Sequence, residues 1–142
     1  MKKIYLLYLV IVILIAIVIR FYQLDRLPTE INIDEASQGY NAFSLLKTGR
    51  DRYGQSFPVL FRSFGSFQAP LYTYLTIIPV YFFGNTVFSI HLIAAVSGVL
   101  LVVLTFTLII KSDYENRGIL SILATLFVAI SPWAIFFSRV GA

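Results

Sequence analysis

The chain has 142 residues, 58% of them hydrophobic and only 13% charged, with a formal net charge of +4. Soluble domains hold about 45–50% apolar and about 25% charged residues, so the composition argues against an ordinary soluble domain and for an integral membrane protein. No cysteine and a single histidine exclude disulfides, thiol chemistry and Cys- or multi-His metal sites, leaving only Asp and Glu oxygens for a metal. No Lys/Arg run is dense enough for nucleic acid, so the basic balance suits lipid head groups or a phosphorylated substrate.

Met1-Lys2-Lys3 is a short basic start, and residues 4–19 carry no charge before Arg20-Phe21-Tyr22. The apolar run is long for a signal peptide, and no small-residue cleavage site follows. It reads as a retained first span over about 4–22, with Arg20 and Tyr22 at the interface. Residues 23–85 form the first outer loop. Pro28 closes its opening segment, and Asn32-Ile33-Asp34-Glu35 then starts a helix over about 34–48. Ala36, Tyr40, Phe43 and Lys47, with Leu46 beside them, make a short, half-polar stripe that suits a helix lying on the membrane surface. Gly49 supplies a left-handed stop. Gly54, Pro58 and Gly65 mark the following stretch as turn-rich and irregular.

Residues 70–83 are apolar but short. As a helix they rise about 21 Å, against a hydrocarbon core of roughly 30 Å, and Pro79 weakens them further. They are predicted to be interfacial or re-entrant. Residues 86–110 suffice for a tilted span, with Ala94, Ala95 and Gly98 as a small-residue strip for close helix packing. A polar turn over 111–118 leads to a third span over 119–137, with Pro132 and Trp133 near its end. The fold class is therefore all-α integral membrane, residues 1–142 forming one multi-span domain. It has three transmembrane helices, an interfacial helix and a short re-entrant or interfacial segment in the first outer loop. Three spans place the loop and the C-terminus on one side, and Met1 and the 111–118 turn on the other. Charge alone does not orient them. Lys2, Lys3, Lys111 and Arg117 compete with Arg20, Arg26, Lys47, Arg50, Arg52 and Arg62 of the loop side.

Asp34-Glu35 is the leading site candidate: two adjacent carboxylates just after a span, in a chain with little polar surface. Asn32-x-x-Glu35 also reads as a capping box, with Asp34 complementing the helix dipole. Arg50, Arg52 and Arg62 could hold a phosphate by bidentate contacts or face head groups and water. His91 lies in a span, where ionisable groups are functional by default, yet shallow enough for the interface.

An ordered series runs through the chain. Ile33-Asp34-Glu35-Ala36 is followed by Ala42, Leu45-Leu46-Lys47-Thr48-Gly49-Arg50-Asp51, Tyr53-Gly54, Phe57-Pro58 and Ala69-Pro70-Leu71-Tyr72-Thr73-Tyr74-Leu75. Phe83-Gly84-Asn85, Gly98, Ser131-Pro132 and Ser138-Arg139 complete it. Together these resemble the N-terminal part of a GT-C superfamily glycosyltransferase. The nearest groups are the bacterial relatives of dolichyl-phosphate-mannose–protein mannosyltransferases and the transferases that add aminoarabinose to lipid A. No single motif is specific; the ordered series is fairly specific together. The resemblance implies a multi-pass cell-membrane enzyme with its first loop outside the cytoplasm. It implies transfer of a sugar from a polyprenyl-phosphate carrier to a hydroxyl on a protein, lipid or glycan acceptor. It makes the first-loop acid, Asp34, the base acting on the acceptor; on the reading of the residues themselves, Glu35 supports it and Arg50, Arg52, Arg62 and His91 are the candidates for the carrier phosphate. A second acid of the family would fall just past Ala142, so the chain resembles an amino-terminal fragment expected to be inactive alone. Gln68 and His91 stand where relatives often carry lysine and arginine. No cofactor is identified, and metal dependence is left open. The alternative is a non-catalytic small membrane subunit or lipid-binding scaffold. A transporter is disfavoured, because no charge sits deep in a span and no internal repeat is evident.

Overall fold

The computed structural model describes residues 3–27 and 31–141. Met1, Lys2, Pro28, Thr29, Glu30 and Ala142 lie outside the described residues, and with them most of the basic start and the proline expected to close the first segment of the loop. The described chain is mostly helical: α1 (Lys3–Phe21), α2 (Ile33–Thr48), α3 (Pro70–Phe83), α4 (Val87–Ile110), α5 (Arg117–Ile130) and α6 (Pro132–Phe137). Two two-residue strands, β1 (Phe61–Arg62) and β2 (Phe67–Gln68), pair antiparallel in the stretch expected to be irregular. Gly65, at φ +84°, makes the turn between them. Two segments, Ile4–Phe21 and Val87–Ile110, are helical, long and apolar enough to cross a membrane. Only 17% and 28% of them are buried, unlike the core helices of a soluble domain.

The chain divides into two compact units. One comprises Met1–Tyr22 with Ala95–Ser138, the other Gln23–Ala94 with Arg139–Ala142. In the first, α1 packs along α5 around a core of Val12, Ala16, Val102 and Ala129. The face of α5 turned inward carries Ser121, Thr125 and Ala129, while Leu123, Phe127 and Ile130 are exposed. Small and hydroxylated residues inside with large apolar ones outside is the pattern of helices that pack in lipid, where close backbone approach replaces hydrophobic burial. Gly98 lies in such a contact. A Cβ there would sit 2.3 Å from the Ser138 Cβ and 2.8 Å from Arg20 Nε.

The third span expected over 119–137 is not one helix. α5 stops at Ile130, Ser131 is extended (φ −58°, ψ 124°), and Pro132 opens the short α6. Proline has no N–H to give the carbonyl four residues back, and it pushes its predecessor out of helical geometry. That carbonyl belongs to Val128. The Arg20 guanidinium takes it instead, donating to Val128 O at 3.2 Å and to Ala129 O at 3.0 Å. Arg20, expected at the interface, is therefore fully buried as a side-chain cap on the end of α5.

In the second unit, α2 packs on α3, and its boundary signals form as the residues imply. Asn32 caps its start, and Gly49 ends it at φ +69°. The stripe of Ala36, Tyr40, Phe43 and Lys47 faces outward. The buried face is polar: Glu35, Ser37, Gln38 and Asn41, with Gly39, Ala42 and Leu45.

Gly98→Val is expected to lower the stability of the detergent-solubilised protein by about 1–3 kcal/mol, because the contact has no room for a branched side chain. Thermal unfolding followed by circular dichroism checks this. An unchanged midpoint would show that α4 does not pack this closely.

Candidate active site

Asp34 and Glu35 begin in the same capping motif and end in opposite environments. Asn32 Oδ1 accepts the N–H groups of Asp34 (2.8 Å) and Glu35 (2.9 Å), and Glu35 Oε2 accepts the Asn32 N–H at 2.8 Å. Consecutive side chains on a helix diverge by about 100°. Glu35 consequently turns inward, 1% exposed, while Asp34 stays half-buried.

Inside, every Glu35 oxygen is committed. Oε1 accepts a short hydrogen bond from the Gly141 N–H and lies 3.1 Å from His91 Nε2. The other His91 nitrogen, Nδ1, is 3.3 Å from the Leu24 carbonyl oxygen. Both groups that face the ring nitrogens, the Glu35 carboxylate and the Leu24 carbonyl, are acceptors. Burial pushes the Glu35 carboxyl up. The His91 contact, the Gly141 and Asn32 N–H groups and the charge on His91 together outweigh that and hold it below the usual carboxylate value. Gly141 can reach in because it has no side chain: a Cβ would lie 2.8 Å from the Tyr72 hydroxyl, which is itself held by a 2.6 Å bond to Ile90 O. Arg139 fixes the same terminal segment by donating to Leu27 O at 2.9 Å.

Asp34 faces the β1–β2 hairpin. Its Oδ1 accepts from Ser63 Oγ at 3.0 Å and Gln68 Nε2 at 2.9 Å, both partners buried. Its Oδ2 accepts nothing among the described residues. Ser63 also lines a cavity of about 420 Å³ together with Asp51, Tyr53, Gln55 and Arg62. Asp51 Oδ1 accepts the N–H groups of Tyr53 (2.9 Å) and Gln55 (2.8 Å), which sets the wall of that cavity. Arg52 stacks between Tyr53 (4.9 Å) and Phe64 (4.4 Å), and Arg62 lies 5.4 Å from the Tyr53 ring. Neither guanidinium forms an ion pair among the described residues.

The structure thus sets Asp34 against Ser63, and Arg62, the neighbour of Ser63 in sequence, lines the same cavity as Ser63. Arg50 is exposed and does not line the cavity. His91 is fully buried against Glu35 and Leu24, so no ring nitrogen is left for a phosphate. Among the described residues no group of three His, Asp or Glu is placed to hold a metal ion. Sequence reasoning passed over Ser63 as a partner of Asp34. Phe61-Arg62 and Phe67-Gln68 flanking a Gly65 turn were the hairpin signal that would have placed it. The Gly141 N–H and the Leu24 carbonyl have no residue-type signature at all. No protein-family model matches the chain, and neither does any curated protein or solved structure.

Glu35→Ala strands His91 in the interior and is expected to cost about 3–5 kcal/mol at neutral pH. Glu35 titrates lower folded than unfolded, where its pKa is about 4.3. Its contribution is therefore complete above that value and disappears as pH falls through the lower folded value. Denaturant unfolding of both proteins from about pH 7 down to about pH 3 should show the gap between them narrowing in acid. A gap of constant size would mean that the carboxylate's charge is not what stabilises.

Proposed function

We propose that the chain forms a membrane glycosyltransferase, or its amino-terminal part, that moves a sugar from a polyprenyl-phosphate carrier to a hydroxyl acceptor at the outer face of the membrane. One observation carries this reading. Of two adjacent carboxylates, Glu35 is saturated, whereas half-buried Asp34 has an Oδ2 that accepts nothing among the described residues, and its Oδ1 is bonded to Ser63, which lines a cavity with Arg62 in its wall. In the proposed step, Asp34 takes the acceptor's proton as the acceptor oxygen bonds to the sugar's anomeric carbon. The bond from that carbon to the phosphate oxygen breaks, and the electron pair leaves on the carrier phosphate. Ser63 and Gln68 hold the carboxylate in place through its Oδ1. Arg62 is the candidate to neutralise the leaving phosphate. The alternative, a non-catalytic lipid-binding subunit or scaffold, draws on one feature: His91, at a position where relatives often carry arginine, is enclosed with Glu35.

Asp34→Asn is expected to lower sugar transfer from a polyprenyl-phosphate donor by about 10²–10⁴-fold in membranes containing the protein, at unchanged protein level. Incorporation of labelled sugar into the acceptor fraction is the readout, and transfer at the unsubstituted rate would remove Asp34 from the chemistry. Orientation is tested on the natural cysteine-free background. Ser66→Cys, at an exposed position of the hairpin, should react with a membrane-impermeant maleimide from outside intact cells. Reaction only after lysis would place the loop in the cytoplasm and end the proposal.

A further inference from the structure

The unit built on α1 and α5 holds a second cavity, of about 800 Å³, where α1 begins, α4 ends and α5 begins. That is room for a whole small molecule or one lipid head with part of its chains. Leu9, Phe106 and Ile110 give it an apolar wall, drawn from the two helices long and apolar enough to cross a membrane. The character of the lining then changes abruptly. Lys111 and Arg117 line the cavity where α4 gives way to the polar turn. Neither forms an ion pair among the described residues; Arg117 uses one N–H on Ser112 O at 3.1 Å. Glu115 is the single carboxylate of the lining and leaves it net positive. The Tyr5 phenol and the Thr107 hydroxyl, which donates to Val103 O at 2.8 Å, add neutral polar groups to the lining, and Lys2 and Lys3 precede Tyr5 in sequence.

An apolar wall along spanning helices that ends in unpaired cations matches one kind of molecule, an acyl chain joined to a phosphate. We propose that this cavity binds an anionic glycerophospholipid, its acyl chain along Leu9, Phe106 and Ile110 and its phosphate between Lys111 and Arg117. Basic pockets between membrane helices select anionic head groups because each nearby Lys or Arg adds attraction that a zwitterionic head group largely cancels. Free phosphate leaves the apolar wall unused. The site shares no residue with the Asp34 region, so it stands whether or not the transferase reading does.

Native mass spectrometry of the purified protein in mild detergent tests the assignment, with dioleoyl phosphatidylglycerol and dioleoyl phosphatidylcholine as probes. Phosphatidylglycerol is expected to bind at least about tenfold more tightly than phosphatidylcholine. The double substitution Lys111→Gln with Arg117→Gln should weaken phosphatidylglycerol about tenfold or more. Lys111→Gln alone, at an exposed side chain, should weaken it by less, and it guards against misfolding of the double variant. Asp34→Asn should leave binding unchanged, and glycerol 3-phosphate should not displace the lipid. Equal retention of the two lipids, unaltered binding in both lysine variants, or full displacement by glycerol 3-phosphate would overturn the proposal.

Discussion

A carboxylate shut away from water governs the second unit. Taking Glu35 out of solvent is costly unless each of its oxygens is met by a donor. The chain meets them from three places far apart in sequence: the helix's own cap at Asn32, the imidazole of His91 on α4 and the backbone N–H of Gly141. Satisfying one group therefore draws together the start of α2, the start of α4 and the terminal segment. His91 extends the chain of contacts to the Leu24 carbonyl. Removing any member leaves a buried polar group without its partner, so the cluster acts as a unit. Its consequence for function is indirect. With Glu35 pinned inward, helical geometry aims Asp34 at the hairpin.

The membrane reading rests on how polarity is arranged inside each element, beyond hydropathy alone. α5 turns Ser121, Thr125 and Ala129 inward and Phe127 outward, and α2 buries Glu35, Gln38 and Asn41 while Tyr40 and Phe43 face out. Both turn large apolar side chains outward and polar ones inward, the reverse of an amphipathic helix on a soluble core. Where the helix breaks at Ser131-Pro132, the Val128 carbonyl loses its helical donor. Arg20 supplies the N–H groups from α1. A charged side chain at the end of a spanning segment, which suggests an interfacial anchor, is here a structural cap.

Much of this was legible in the residues. α3 was expected at its observed bounds, and the start and stop of α2 followed from Asn32, Glu35 and Gly49, because capping chemistry is contained within a few neighbouring positions. The hairpin was missed because its strands are two residues long and give no alternation to read. The segment expected as one span over 119–137 forms two helices, because an apolar run across Pro132 looks continuous to hydropathy while the helix is interrupted before the ring.

Residue order alone marks two segments apolar and long enough to cross a membrane, the helical elements and the presence of an acidic pair at a helix start. These depend on composition, periodicity and local hydrogen bonding. The packed chain decides which of the two acids is sealed and which keeps an oxygen open. It also decides that His91 and Arg20 are interior partners. Those outcomes turn on contacts such as Glu35 with Gly141, 106 residues apart, and on main-chain N–H and C=O groups that every residue possesses. No pattern of side chains along the sequence can specify which of those groups will be brought to a given carboxylate.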